Sequence, residues 1–312
     1  MIKRTLCFTS PAYLSVRNNQ LVIKMPEVEK SDLPETVKES AVRQVPVEDI
    51  GVVVLDNKQI TISQAALEEL LGNNAAIITC DNSHLPVGLM LPLCGNTIQN
   101  ERFRSQLDAS LPLRKQLWQQ TVQSKIGNQA AVLKSLGVET RNMGKWVDSV
   151  KSGDPDNLEA RAATYYWKNI FAGIDDFVRF RDGDYPNNLL NYGYAILRAV
   201  VARGLVSSGL LPTLGIHHHN RYNAYCLADD VMEPYRPYVD KLVLSIMAKY
   251  YSEKELTTEI KRELLNIPVL DVFINGQRSP LMIGVGLTTS SLNKCFGGEL
   301  RKIVYPEMKW TD

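Results

Sequence analysis

Residues 86–107 read PVGLMLPLCGNTIQNERFRSQL, and the spacing of the apolar side chains changes within this stretch. Residues 86–91 form a short apolar run that is typical of a strand. From Ile98 onward the apolar residues recur at the spacing of an α-helix. The change predicts an α+β protein with a small amino-terminal β domain at residues 1–95 and a larger all-α domain at residues 96–312.

The first domain shows the alternation and the turn residues of short strands. Residues 12–16 and 20–24 flank the turn Arg17-Asn18-Asn19, and this pattern predicts a hairpin. Ser63 is placed to cap one short helix that ends at Gly72. We therefore expect a β-sandwich-like domain that contains one short helix.

The second domain follows the helical period along most of its length. The Asn275-Gly276 pair, which lies between two apolar segments, is instead typical of a β-hairpin. The expected helices are two between residues 98 and 136, then residues 157–173, 189–205, 223–232, 239–250, 253–265 and 290–303.

The composition is that of an ordinary globular protein. The chain has 312 residues, of which 45% are hydrophobic, and a formal net charge of +1. Such a small net charge argues against strong non-specific attraction to nucleic acid or to an anionic membrane. The charge is uneven, however, because residues 1–95 carry 8 Lys and Arg against 11 Asp and Glu. The basic excess therefore lies in the second domain.

The cysteines are scattered and form no Cys-x-x-Cys motif, which argues against a disulfide framework and against a zinc knuckle. The sequence does not open with a signal-peptide pattern, and it has no run of about eighteen uncharged apolar residues. We therefore expect a soluble, cytoplasmic protein with reduced thiols and no membrane partner. The cysteines are Cys7, Cys80, Cys94, Cys226 and Cys295.

Residues 217–219 are three consecutive histidines, and acidic residues follow about a dozen positions later. On a helix, Asp230 and Glu233 lie three residues apart and Asp229 and Glu233 lie four apart, so their carboxylates occupy neighbouring faces. A cation between such carboxylates turns their repulsion into ligation. Carboxylates with one imidazole suit Mg²⁺ or Mn²⁺, whereas Zn²⁺ sites usually draw on more His or Cys.

The same acids also have a structural interpretation, since acidic pairs at this spacing are typical of a solvated helix face. Three adjacent histidines without a run of Lys or Arg are harder to explain as packing. Pro234 disfavours a helical conformation at Glu233, which we therefore expect at a helix end or kink. Glu159 falls in the first turn after a cap at Asp156 or Asn157, where the helix dipole favours a carboxylate.

Four segments, taken in order along the chain, resemble the motifs of one family. Residues 157–166 match Glu-small-x-Ala-Ala-x-x-Tyr, and residues 186–194 match Asn-x-x-Leu-Asn-Tyr-Gly. Residues 215–218 match Gly-x-x-His, and residues 230–237 match Asp-aliphatic-x-Glu-Pro-aromatic-Arg-Pro. The chain thus resembles the Cas1 family, the CRISPR-associated spacer integrases. Segments within residues 4–23 are most similar to the members that accompany Cas9 effectors.

The resemblance implies a catalytic site in the second domain. Glu159, His218 and Glu233 would bind Mg²⁺ or Mn²⁺, and Asp230 would be a nearby acid that supports or joins them. His218 is assigned because it holds the fourth place of Gly-x-x-His. Its neighbours His217 and His219 remain alternatives.

The resemblance also implies an activity and partners. A spacer 3′-hydroxyl would attack a CRISPR repeat in a transesterification, and water in its place would give endonuclease activity. The substrates would be double-stranded prespacer and repeat DNA. The β domain would form a homodimer, and such dimers would join a Cas2 dimer in a heterohexamer, with Cas9 and other adaptation proteins as further partners.

Basic residues flank the candidate site in sequence, and we expect some of them to bind DNA phosphates, with solvated surface as the alternative for each. These residues are Arg161, Lys168, Arg198, Arg221, Arg236 and Lys241.

Two other functions stay open at this point. The first is an unrelated metal-dependent hydrolase with Zn²⁺ on the histidines, against which the absence of His-Glu-x-x-His argues. The second is a nucleic-acid-binding scaffold without catalysis, in which a bound cation would be structural. Replacing Glu159 with Ala would leave the function of such a scaffold intact.

Overall fold

The computed structural model describes residues 3–174, 177–180 and 183–309. The chain divides into two compact units, Met1–Gly95 and Asn96–Asp312. This division falls where the apolar spacing of the sequence changes. Strands dominate the first unit and helices dominate the second, which confirms the α+β class.

The first unit is built mainly of short strands, arranged in two sheets ordered β1-β5-β7-β8 and β4-β3-β2-β6. In the first sheet β1, β5 and β7 are parallel, and β8 is antiparallel to β7. In chain order the elements are β1 (Arg4–Phe8), β2 (Tyr13–Arg17), β3 (Gln20–Lys24), α1 (Pro26–Glu29), α2 (Glu35–Ala41), β4 (Arg43–Pro46), β5 (Ile50–Leu55), β6 (Thr61–Ile62), α3 (Gln64–Gly72), β7 (Ala76–Cys80) and β8 (Pro86–Met90).

Both sheets of the first unit contribute to one apolar core. Leu14 and Leu21 of the second sheet, Ile50 and Ile77 of the first sheet, and Leu70 of α3 belong to a single cluster of buried side chains. The apolar faces of the two sheets therefore share one interior, as expected of a sandwich-like domain.

The expectation of one short helix in this unit is wrong. The helix that was expected is α3, where Ser63 Oγ accepts a hydrogen bond from the Ala66 N–H at 3.2 Å. The sequence pattern does not reveal α1 and α2, because neither helix has a buried residue and so neither presents an apolar face.

The second unit is mainly helical. Its described elements are α4 (Gln99–Leu107), α5 (Leu111–Ser135), α6 (Arg141–Ser149), α7 (Leu158–Ile170), α8 (Asn187–Ser207), α9 (Cys226–Met232), α10 (Arg236–Lys249), α11 (Thr258–Leu264), β9 (Asp271–Ile274), β10 (Gln277–Pro280) and α12 (Leu281–Phe296).

Two expectations for the second unit need correction. The unit is not all-α, because β9 and β10 pair as the antiparallel hairpin that Asn275-Gly276 indicated. The last helix is α12 and not residues 290–303. The sequence did not predict the start of α12, because Gly284 interrupts the apolar spacing of this helix. A Cβ at Gly284 would come within 2.9 Å of Val272 Cγ2, so glycine is required here for packing against β9.

The helix α8 forms the centre of the second unit and packs against α9, α10, α11 and α12. It is long and apolar enough to cross a membrane by length and composition, but 78% of its apolar window is buried inside the protein. Its hydropathy is therefore explained by its place in the core.

The helix α5 lies against the elements that carry Glu159 and Glu233. It packs against α6, α7, α10 and the 3-10 turn Glu233–Tyr235. Asn128 of α5 donates hydrogen bonds to the carbonyls of Pro234 at 2.7 Å and Pro306 at 3.0 Å, and it accepts one from the Met308 N–H at 2.8 Å. These bonds fix the turn that carries Glu233 against α5.

Candidate metal centre

Glu159 lies in the first turn of α7, and the carboxylate of Asp154 fixes that turn. Asp154 accepts hydrogen bonds from the N–H groups of Leu158 and Glu159, both at 2.9 Å. The expected cap at Asp156 or Asn157 is therefore wrong: Asn157 adopts a left-handed conformation and its side chain makes no capping hydrogen bond. Asp154 satisfies the exposed N–H groups of the helix start and so positions Glu159.

Glu233 begins the 3-10 turn that follows α9, so the helix ends just before it, as Pro234 led us to expect. Its backbone nevertheless has the helical angles φ −51° and ψ −47°. The preference of a residue before proline for extended backbone is overridden here by the next helix, since α10 continues directly from the turn. The side chain of Glu233 is 6% exposed and lies against α5.

Asp230 is fully buried and holds the histidine loop together. Its carboxylate accepts hydrogen bonds from the N–H groups of Ile216 at 2.6 Å, His217 at 2.9 Å and His218 at 3.3 Å. It also contacts His218 Nδ1 at 2.5 Å. These contacts occupy both carboxylate oxygens, which favours the supporting role of Asp230 over a place among the ligands.

The rings of His217 and His218 have different surroundings. His217 stacks on Trp118 of α5, with ring centroids 4.2 Å apart and an angle of 4° between the planes. His218 meets the same indole edge-on at 5.7 Å and is held by Asp230 through Nδ1. This contact leaves Nε2 of His218 available for a metal ion, because metal-binding histidines usually give their other ring nitrogen to a carboxylate or carbonyl.

The side chain of Lys125, on α5, lies between Glu159 and Glu233. Its ammonium contacts Glu159 Oε1 and lies 2.6 Å from Glu233 Oε2. Because both carboxylates contact one nitrogen, the two oxygens lie within about 6 Å of each other. Acids from α7 and from the Glu233–Tyr235 turn are thus brought to one cation position.

These residues fit a divalent ion in their chemistry, although among the described residues no three His, Cys, Asp or Glu side chains are close enough to hold one as they stand. Carboxylate oxygens are the ligands that Mg²⁺ and Mn²⁺ prefer, and one imidazole beside two carboxylates is compatible with either ion. Glu233 Oε2 is buried, and the ammonium of Lys125 lies 2.6 Å from it. A carboxylate oxygen in that situation suits a metal ligand.

The charges of the site perturb one another. Burial lowers the pKa of Lys125, but the charges of Glu233 and Glu159 outweigh burial and raise it above its ordinary value. Burial raises the pKa of Glu233, but Arg236 and Lys125 outweigh burial and lower it. The hydrogen bond to Asp230 raises the pKa of His218, and the charge of Glu233 adds to this effect. His218 thus lies within electrostatic range of Glu233.

The family model for CRISPR associated protein Cas1 matches residues 6–274. The chain belongs to the Cas1 family. It is 34% identical over 293 residues to the CRISPR-associated endonuclease Cas1 of Neisseria meningitidis serogroup C, and the match covers 93% of this chain and 91% of the relative. A second Cas1 endonuclease, from Pyrobaculum aerophilum, is 29% identical to this chain. The match covers 81% of this chain and 89% of the Pyrobaculum protein.

Solved structures share the fold of this Cas1 chain. A casposase bound to an integration product has a TM-score of 0.77 and 21% identity, covering 97% of this chain and 92% of its own. A Cas1 protein from Thermotoga maritima has a TM-score of 0.71 and 16% identity, and the match covers 95% of this chain and 98% of the Thermotoga chain. The Cas1 part of a Cas6-RT-Cas1–Cas2 complex has a TM-score of 0.73 and 19% identity, covering 99% of this chain and 37% of its own.

The basic residues expected to bind DNA in this Cas1 chain fall into two groups. Arg161, Lys168, Arg221 and Lys241 are exposed and remain predictions. The other two pair with acids of the protein. Arg198 Nε lies 2.7 Å from Asp229 Oδ1, and Arg236 Nη2 lies 3.2 Å from Glu233 Oε1.

Sequence reasoning did not find Lys125, Trp118 or Asp154. A signal for Lys125 exists, since it lies seven residues after Trp118, close to the apolar positions Val122 and Ile126 of α5. A lysine on the buried face of a helix is rare unless it is paired. Asp154 carries no such signal, because the left-handed residues that bring it to the helix start are not evident from the sequence.

Asp240 forms a buried polar cluster behind the Cas1 site. Tyr166 Oη and Tyr194 Oη donate hydrogen bonds to its two oxygens at 2.8 and 2.5 Å. Burial raises the pKa of Asp240 to about 6, although the two tyrosines and the charges of Arg236 and Arg179 oppose the rise. Because the folded pKa is raised above its ordinary value of 3.8, the folded state gains stability from the proton below about pH 4 and loses it as the pH rises through 6.

We therefore expect Asp240→Asn, which cannot ionise, to gain stability relative to the wild type as the pH rises. The difference in the free energy of unfolding between variant and wild type should shift toward the variant by about 2 kcal/mol between pH 4 and pH 8. Urea unfolding at the two pH values measures this shift. A difference that stays constant with pH would contradict the raised pKa, whatever the absolute stability of the variant.

Proposed function

We propose that this Cas1 protein is a divalent-metal-dependent DNA endonuclease and integrase. It joins the 3′-hydroxyl end of a spacer to a CRISPR repeat by transesterification of a phosphodiester. The proposal rests on the arrangement of Glu159 and Glu233 around one cation position, with His218 within electrostatic range of Glu233. Two Cas1 relatives are named endonucleases, which supports the same activity.

The residues of the site have different proposed roles. Glu159, Glu233 and His218 Nε2 would hold Mg²⁺ or Mn²⁺, and such an ion would polarise the scissile phosphate and neutralise charge on its oxygens. Asp230 keeps the imidazole oriented and keeps Nε2 available as the ligand atom. Trp118 supports the histidine loop from α5 through the stacked His217 ring.

Double-stranded DNA and Cas2 are the proposed partners. The structurally similar casposase is bound to an integration product, and a similar chain forms part of a complex with Cas2. Homodimer formation through the first unit, assembly of a heterohexamer and association with Cas9 stay predictions from the sequence. Arg161, Lys168, Arg221 and Lys241 are exposed cations that can contact DNA phosphates.

A strand-transfer assay tests the proposal. A labelled prespacer duplex and a plasmid that carries the repeat are mixed with the protein and its Cas2 partner in Mg²⁺ or Mn²⁺. We expect label to become joined to the plasmid, and we expect excess EDTA to abolish joining because the charge on the phosphate is no longer neutralised.

The matched control is a prespacer that ends in a 3′-deoxy nucleotide. It should bind equally well but should not be joined, because the attacking hydroxyl is missing. Joining in EDTA would contradict metal dependence, and joining of the 3′-deoxy prespacer would contradict the attack by the hydroxyl. No joining by the wild type in either metal, with DNA bound equally by the wild type and by Glu159→Ala, would support the non-catalytic scaffold.

A further inference from the structure

The side chain of Lys125 supplies a positive charge at the proposed metal site. Its side chain is 10% exposed, and its ammonium contacts one oxygen of Glu159 and lies 2.6 Å from one oxygen of Glu233. A divalent ion binds carboxylate oxygens at about 2.0 to 2.6 Å. The ammonium and such an ion cannot both lie between the same two oxygens.

The second oxygen of Glu233 has a separate partner. Arg236 Nη2 lies 3.2 Å from Glu233 Oε1, and its guanidinium packs over the Tyr194 ring at 5.0 Å from the ring centroid. Arg236 therefore stays paired with Glu233 whichever cation occupies the side of Oε2. Of the residues that the structure describes, only Lys125 contacts both carboxylates, so Lys125 is the one that competes for the position that links them.

The charges of the two cations are unequal. One ammonium neutralises a single negative charge of the Glu159 and Glu233 pair, whereas a divalent ion neutralises both. Without either cation, two buried or half-buried carboxylates within about 6 Å of each other repel strongly, because the surrounding dielectric is low. Lys125 thus stabilises the pair of acids and, for the same reason, opposes any ion that would replace it.

We propose that Lys125 is a built-in competitor of the divalent ion, whose ammonium must leave the two carboxylates before the metal can bind. This proposal rests on the proposed metal site and assigns Lys125 a positioning role within it. The affinity of this Cas1 protein for the divalent ion is then lower than the affinity that the two acids and the imidazole would have without Lys125. Removing the ammonium should tighten metal binding while destabilising the protein that has no metal.

Mn²⁺ binding to the full-length protein, without DNA, tests the competition. The protein is freed of metal with a chelator, and free Mn²⁺ is followed by electron paramagnetic resonance for the wild type, Lys125→Met and Lys125→Gln. We expect both variants to bind Mn²⁺ at least about tenfold more tightly than the wild type. Lys125→Gln keeps a polar side chain in case the methionine variant does not fold.

Lys115→Met is the matched control, since it removes a positive charge from the exposed part of the same helix. Its Mn²⁺ affinity should stay within about twofold of the wild type. The rise in Tm on adding Mn²⁺ gives a second measurement, and it should be larger in Lys125→Gln than in the wild type.

The possible outcomes separate this inference from the proposed function. Equal or weaker Mn²⁺ binding by both Lys125 variants, with wild-type binding that Glu159→Gln abolishes, would overturn the competition alone. No Mn²⁺ binding by any of the proteins would overturn the proposed metal site and the competition with it. If Lys115→Met bound Mn²⁺ as tightly as the Lys125 variants do, the competition would also be overturned. The loss of any positive charge from the protein would then explain the tighter binding.

Discussion

Glu159→Gln and Glu233→Gln are each expected to slow strand joining by at least about a thousandfold. Each change removes one negative charge and one strong oxygen ligand from the position shared by α7 and the Glu233–Tyr235 turn. The shape of the side chain is preserved, so little change in the fold is expected. Single-turnover joining in Mg²⁺ measures the rate, and circular dichroism checks that the variants remain folded.

His218→Ala should cause a loss of similar size, because it removes the imidazole that Asp230 holds and, with it, the proposed ligand atom Nε2. Glu139→Gln is the matched control, since Glu139 is exposed and its carboxylate contacts Arg141 and not the site. It should join at the wild-type rate. Full activity in any one of the Glu159, Glu233 or His218 variants would remove that residue from the site.

Gly215→Ala is expected to reduce joining by about a hundredfold although it removes no functional group. A Cβ at Gly215 would lie 2.2 Å from the carbonyl oxygen of His218 and 2.9 Å from Asp230 Oδ2. A backbone carbonyl cannot swing aside as a flexible side chain can, so the loop must shift. A displacement of about 1 Å at a ligand costs roughly this much in rate. The joining assay and the Mn²⁺ affinity should fall together.

Gly127→Ala provides the control for this substitution. Gly127 lies within α5, where a Cβ would meet nothing within 4 Å. Alanine in a helix is more favourable than glycine by about 1 kcal/mol, so this variant should be slightly more stable and fully active. If Gly215→Ala kept wild-type activity, the close approach of Gly215 to the histidine loop would not matter for the site.

The parts of the site that the sequence predicts are those with a local pattern. The change from strand to helix spacing near Asn96 indicated the two units, because each kind of element has its own period. Glu159, His218 and Glu233 were assigned through motifs whose residues lie close together along the chain. The glycine of Gly-x-x-His now has a physical reason, since only glycine fits beside the His218 carbonyl.

The parts that the sequence did not predict depend on contacts between distant segments. Lys125 meets Glu159 from 34 residues away, and only the packing of α5 on α7 brings them together. The buried state of Asp230 and its four contacts with the histidine loop also follow from tertiary structure. The start of α12 was concealed by Gly284, which is needed for packing and not for a turn. The spacing of apolar residues shows which face of a helix or strand is buried. It does not show which other segment packs against that face.

Anomalous diffraction from crystals soaked in Mn²⁺ tests the central claim most directly. We expect one strong peak bounded by a carboxylate oxygen of Glu159, Nε2 of His218 and Oε2 of Glu233, with the Lys125 ammonium displaced from between the acids. A peak that excludes Glu159 or Glu233, or the absence of any peak at a saturating Mn²⁺ concentration, would contradict the account.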